Sequence, residues 1–190
     1  ILILLMASVT LMAMPVVAQT TYTNLQEGGS MLLPANVTPS ASFDTYAQLS
    51  FRPNPVGVGQ TIIVNMWITP ALHVSRYFKD YTVTITKPDG QQDVVKMNSY
   101  RADATAWFEY IMDKVGTWKL KFDFPGGYFP AGNYTTAAGA FGGGGLTSFP
   151  DSAYYKPSTS GERTLTVQQN IVYSWPESPL PTDYWTRPVH

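Results

Sequence analysis

Apolar and polar positions alternate along this chain in short runs, and no long helical stripe interrupts them. From Thr61 to Thr69, Ile62, Val64, Met66 and Ile68 fall on one side and Ile63, Asn65 and Trp67 on the other. From Tyr81 to Lys87, Tyr81, Val83 and Ile85 alternate with Thr82, Thr84 and Thr86. From Thr117 to Phe124, Trp118, Leu120, Phe122 and Phe124 read as inward, with Thr117, Lys119, Lys121 and Asp123 outward. A period of two marks a strand with one buried and one wet face. The same reading predicts strands at Thr45–Arg52, Asp93–Met97, Ala104–Ile111 and Arg163–Gln169, the last with Leu165 and Val167 inward. Proline ends the first of them at Pro53-Asn54-Pro55, and Pro88-Asp89-Gly90 sets a tight turn before residue 93. Short strands joined by turns predict an all-β fold. The expected form is an immunoglobulin-like two-sheet sandwich of about seven strands, spanning 44–170, with a Gly- and aromatic-rich insertion at 125–161.

The first 17 residues, ILILLMASVTLMAMPVV, carry no charge. Val16-Val17-Ala18 ahead of Gln19-Thr20 fits a signal-peptidase site, so residues 1–18 are expected to be a signal peptide cleaved after Ala18. A retained membrane anchor is the competing reading, and the stretch is somewhat short for it. No initiator Met or basic n-region precedes it, and the end at Arg187-Pro188-Val189-His190 closes no element. The expectation is a fragment of a longer, secreted or cell-surface protein. Residues 19–43 are polar, with Gly28-Gly29-Ser30, and read as a linker. Sequons at Asn36-Val37-Thr38 and Asn133-Tyr134-Thr135 make Asn36 and Asn133 possible glycosylation sites on exposed loops.

Composition narrows the function. Charged residues are 13% of the chain and the net charge is −1, with no basic run, so nucleic acid is not an expected partner. A membrane would be met only through an uncleaved N-terminal segment. There are no cysteines, which excludes disulfides, thiolate metal sites and a thiol nucleophile. The core must then rest on aromatic and aliphatic burial, each large ring contributing about 2–3 kcal/mol.

Asp113-Lys114-Val115-Gly116-Thr117-Trp118-Lys119-Leu120 resembles the corner and following strand of immunoglobulin-like domains, where Gly-x-Tyr-x-Cys is typical. Trp118 stands at the Tyr position and Leu120 at the Cys position. That departure is expected to put both the corner hydrogen bond and the disulfide out of reach. A second resemblance runs from about Tyr46 to Pro188. It is carried by Arg52-Pro53-Asn54-Pro55-Val56-Gly57-Val58-Gly59-Gln60, Val115-Gly116-Thr117-Trp118 and Pro179-Leu180-Pro181-Thr182-Asp183-Tyr184-Trp185-Thr186-Arg187-Pro188. These are similar to the N-terminal region of large exported prokaryotic, mainly archaeal, surface proteins, in which an Ig-like domain precedes a PQQ-like β-propeller. The resemblance implies that 171–190 is a linker into an absent downstream domain, which would be the main partner. It does not imply that a quinone is bound.

In Ig topology the loops after the second, fourth and sixth strands share one end. Here that end would gather Tyr77 and Phe78 with His73 and Arg76 from 70–80, Tyr100 and Arg101 from the next loop, and Tyr128, Phe129, Tyr134, Tyr154 and Tyr155 from the insertion, which also holds Phe141 and Phe149. Such an aromatic end has the makeup of a surface for glycan or protein. The competing reading is that the insertion folds over the sandwich and buries its own rings, or docks on the missing domain. The run Gly142–Gly145 reads as a hinge, because it lacks the Lys-Ser/Thr of a phosphate loop.

Catalysis is not expected. The two histidines are His73 and His190, and no serine lies in a nucleophile motif. Asp80 and Asp103 could meet at the aromatic end, but no calcium-ligand spacing supports them. Neither a metal nor a cofactor is expected. The leading expectation is a non-catalytic structural or adhesive module. A carbohydrate-binding module and the leader of an exported quinoprotein-like enzyme are the alternatives.

Overall fold

The structure is a computed structural model and describes residues 25–136 and 144–173. The expected signal segment 1–18 and its cleavage site, Phe141, Gly142 and Gly143, and the expected linker from residue 174 onward lie outside the described residues.

The described chain is all-β. In chain order its strands are β1 (Leu25–Gln26), β2 (Ala41–Phe43), β3 (Tyr46–Arg52), β4 (Val56–Gly57), β5 (Thr61–Thr69), β6 (Tyr81–Thr86), β7 (Gln92–Met97), β8 (Thr105–Ile111), β9 (Gly116–Phe124), β10 (Gly127–Phe129), β11 (Gly132–Thr135), β12 (Leu146–Phe149), β13 (Ala153–Tyr155) and β14 (Ser158–Gln168). They form a three-stranded sheet β3-β5-β8 and a five-stranded sheet β4-β14-β9-β6-β7. Two small three-stranded sheets, β1-β11-β12 and β10-β13-β2, complete the set.

The period-two residues form the core. Ile62, Val64, Met66 and Ile68 of β5 are buried, as are Tyr81, Val83 and Ile85 of β6. So are Trp118, Leu120, Phe122 and Phe124 of β9, and Leu165 and Val167 of β14. Residues of the two larger sheets join in one hydrophobic cluster. Tyr81 lies in the middle of it and still satisfies its hydroxyl, which donates to Ala104 O at 2.8 Å.

The strand read as Asp93–Met97 is β7, which pairs with β6 across the Pro88–Gly90 turn. Three expectations are corrected. The last strand begins at Ser158, not Arg163, because Thr159 and Ser158 already pair with Asp123 and Phe124; a bulge between Thr159 and Glu162 absorbs Ser160 and Gly161. The stretch read as linker supplies two strands from residue 25 on. Leu25 and Gln26 pair in parallel with Asn133 and Tyr134, and Ala41–Phe43 pairs in parallel with Ala153–Tyr155. Finally, the corner hydrogen bond is made. Trp118 Nε1 donates to Lys114 O at 2.9 Å, an indole N–H doing at four residues' distance what a Tyr hydroxyl does elsewhere. The turn that allows this needs Gly116, whose φ is 135° and where a Cβ would come within 2.8 Å of Pro88.

Candidate functional site

The loops 70–80 and 98–104 and the insertion do meet at one end. Ser99 N donates to Phe78 O at 2.9 Å, and Leu72 N donates to Ala102 O at 3.0 Å. The N-terminal segment threads between them. Ser30 N donates to Tyr77 O, Tyr77 N to Gly28 O, and Met31 and Tyr128 exchange both backbone bonds. Gly28 makes the crossing possible: its φ is 82°, and a Cβ would stand 2.3 Å from Ser75 O.

Most of the nine candidate surface residues point inward. Phe78, Tyr128, Phe129, Tyr134 and Tyr155 are buried, Tyr77, Arg101 and Tyr154 are half-buried, and Tyr100 is exposed. Phe78 is the hub, with ring centroids of Phe124 at 4.6 Å, Tyr155 at 5.1 Å and Phe129 at 5.8 Å. Edge-on and tilted contacts of this kind add about 0.5–1.5 kcal/mol per pair beyond area burial. A buried ring offers no face to a ligand, so these five residues close the end rather than display it. The physical reason is the pairing of the linker and insertion strands, which lays backbone over the rings.

At the centre lies Arg76, which is 4% exposed. Its guanidinium carbon stands 3.7 Å from the centroid of Phe149, 4.3 Å from Tyr134 and 4.9 Å from Phe129. Nε and Nη2 have no hydrogen-bond partner, and no carboxylate pairs with the group among the described residues. A guanidinium tolerates this better than an ammonium would, because it is weakly hydrated and stacks on rings; desolvated cation–π contacts reach about 2 kcal/mol. Burial raises the Tyr134 hydroxyl above its ordinary value, and the Arg76 charge opposes that rise. Tyr155 is raised for the same reason, again opposed by Arg76.

His73 is tied into the loop. Its Nδ1 accepts from Ser75 N at 3.2 Å and lies 2.9 Å from Ser75 Oγ. Ser75 is fully buried, and the imidazole edge faces Phe149 at 5.3 Å. Arg101 Nη1 donates to Ser75 O and its guanidinium covers Tyr77 at 5.0 Å. Asp103 Oδ1 accepts from Thr105 N, whereas Asp80 is held through its backbone, its N–H donating to Asn98 Oδ1 and its carbonyl accepting from Thr82 Oγ1. Among the described residues no three His or acidic side chains group to hold a metal. Asn36 is exposed, while Asn133 is half-buried in the central strand of the β1-β11-β12 sheet.

Sequence reasoning missed a second aromatic group, on the outer face of β3-β5-β8. Tyr46 and Trp107 are exposed there and Trp67 is half-buried. The signal was present in β5 itself, where Trp67 takes an outward position in a strand of period two.

No protein-family model matches the chain, and no curated protein matches it.

Proposed function

We infer that the chain is a non-catalytic, immunoglobulin-like module of a larger secreted or cell-surface protein, with a structural, adhesive or interdomain packing role. What carries this reading is the partition of the strands. The orders β3-β5-β8 and β7-β6-β9-β14 are those expected if these strands are read as A, B, E and C′, C, F, G. The Trp118 corner adds to it. The inward packing around Phe78 and Arg76 favours a rigid spacer over a loop-borne binding site. The export reading rests on residues 1–18, and both the downstream propeller and the quinoprotein-leader alternative rest on 179–188.

Protease treatment of intact cells that make the protein tests the reading. An antibody to the folded module should lose its signal when protease is added outside. Retention of the signal until the cells are lysed would place the chain inside and overturn it.

A further inference from the structure

The two large sheets turn very different outer faces to solvent. On the five-stranded sheet most outward residues are polar, with Thr82, Thr84 and Thr86 on β6, Lys119, Lys121 and Asp123 on β9, and ion pairs Lys119–Glu162 and Lys121–Asp123; Val94 of β7, opposite Thr84, is an exposed apolar residue among them. On the three-stranded sheet the register builds an oblique aromatic row. Tyr46 lies opposite Thr69, Trp67 opposite Gln48 and Thr105, and Trp107 opposite Asn65. Tyr46, Trp67 and Trp107 therefore step one strand across and two residues along each time. Diagonal neighbours of this kind are about 7–8 Å apart, within reach of large rings. Tyr46 is 64% exposed and Trp107 48%.

Polar rows flank the rings on both sides. Gln48, Asn65 and Glu109 run parallel to them on one side, and Thr69 and Thr105 on the other. An exposed aromatic patch rimmed by polar groups marks an interaction surface.

We propose that this face binds an extended, uncharged polysaccharide chain. The aromatic row meets the C–H faces of successive pyranose rings, and Gln48, Asn65 and Glu109 exchange hydrogen bonds with their hydroxyls. Three features favour this occupant. The face is a flat sheet, suited to flat rings. Its charges, Arg52 and Glu109, flank Ile63 on either side and cancel, which fits a neutral ligand. Its footprint, three strands by seven residues, is about 14 Å by about 23 Å, or roughly 330 Å². A stable protein interface needs about 800 Å² per partner, whereas a single polymer chain is narrow enough to be served by one row. The proposal deepens the surface-module reading, on which it rests for access to an outer polymer.

The test is depletion of the purified chain from solution by swollen cellulose and by colloidal chitin, with alginate gel as the anionic comparator. Binding to at least one neutral polymer is expected, with little to alginate. Trp107→Ala should lower the bound fraction about tenfold or more, the size of losing an aromatic anchor. Trp107→Tyr should retain most of the binding, and Thr84→Ala on the opposite face should change nothing. Trp107 is outward, so the folded state of each variant can be confirmed by its unchanged thermal transition. Failure to bind either neutral polymer, or equal loss from Thr84→Ala, would overturn the proposal. So would a dimer in sedimentation that Trp107→Ala dissolves, which would assign the face to a second copy. Surface location is measured separately on cells, so the two readings fail independently.

Discussion

Each end of the molecule places a cation over aromatic rings, and the two do it in opposite ways. At the loop end Arg76 is buried among Phe129, Tyr134 and Phe149 with no carboxylate. At the corner end Lys87 lies 5.7 Å from Trp118 and is held by Asp113 at 2.8 Å and Asp93 at 3.3 Å. Lys114 bonds Asp89, and the Tyr110 hydroxyl bonds Asp93. Arginine can leave water for ring faces because its charge is spread; a lysine ammonium is a compact charge that needs anions or water. The lesson is that the loop end is built as an interior, and the corner end as a surface network.

That contrast predicts a ranking of effects. Phe78→Ala, at the hub of the loop end, should cost about 3–5 kcal/mol by leaving a cavity among rings that cannot collapse. Denaturant unfolding measures it, and a loss no larger than that of a surface residue would break the contrast. Trp118→Phe keeps a ring but removes the donor to Lys114 O, and should cost about 2–3 kcal/mol.

Lys87→Met should give the smallest change, one that fades with added salt, because its partners Asp93 and Asp113 are about half exposed and the pairs are partly screened. The same network sets the pH response. Hydrogen bonding to Lys114 holds the Asp89 carboxyl below its ordinary value, and hydrogen bonding to Tyr110 and then Lys87 does so for Asp93. Depressed carboxyls stabilise the fold above their unfolded value, 3.8, and that contribution is lost as pH falls below it. Burial, with the hydrogen bond to Asp93 second, pushes the Tyr110 hydroxyl up to about 12 from 10.0, so its contribution is intact below 10.0 and lost as pH rises towards 12. A thermal melt series across both limbs should show the acid limb flattened in Asp93→Asn and the alkaline limb flattened in Tyr110→Phe.

The two larger sheets were legible because β5, β6 and β9 run six to nine residues, long enough to display a period of two. The small sheets were not. β1 and β2 have two and three residues, too few for any period, and their partners lie more than a hundred residues away. The start of β14 was hidden by Ser158-Thr159-Ser160-Gly161, a stretch that reads as a turn and forms the bulge. Arg76 was legible as a loop residue but not as a buried one, since nothing local marks a cation that the rings of Phe129, Tyr134 and Phe149, all more than fifty residues onward, will enclose. Trp118 shows the opposite error: its position was read correctly, and only its donor was overlooked.

Native-state hydrogen exchange tests the central claim most directly, that the segment from residue 25 and the insertion are one closed part of the fold. The amides of Ser30, Met31, Tyr77 and Tyr128 are bonded across that closure. The account predicts that they exchange slowly, in the range of the β9 amides and far below the rate of free chain. Exchange at the free-chain rate while β9 stays protected would contradict it, and would return the aromatic end to an open, loop-borne surface.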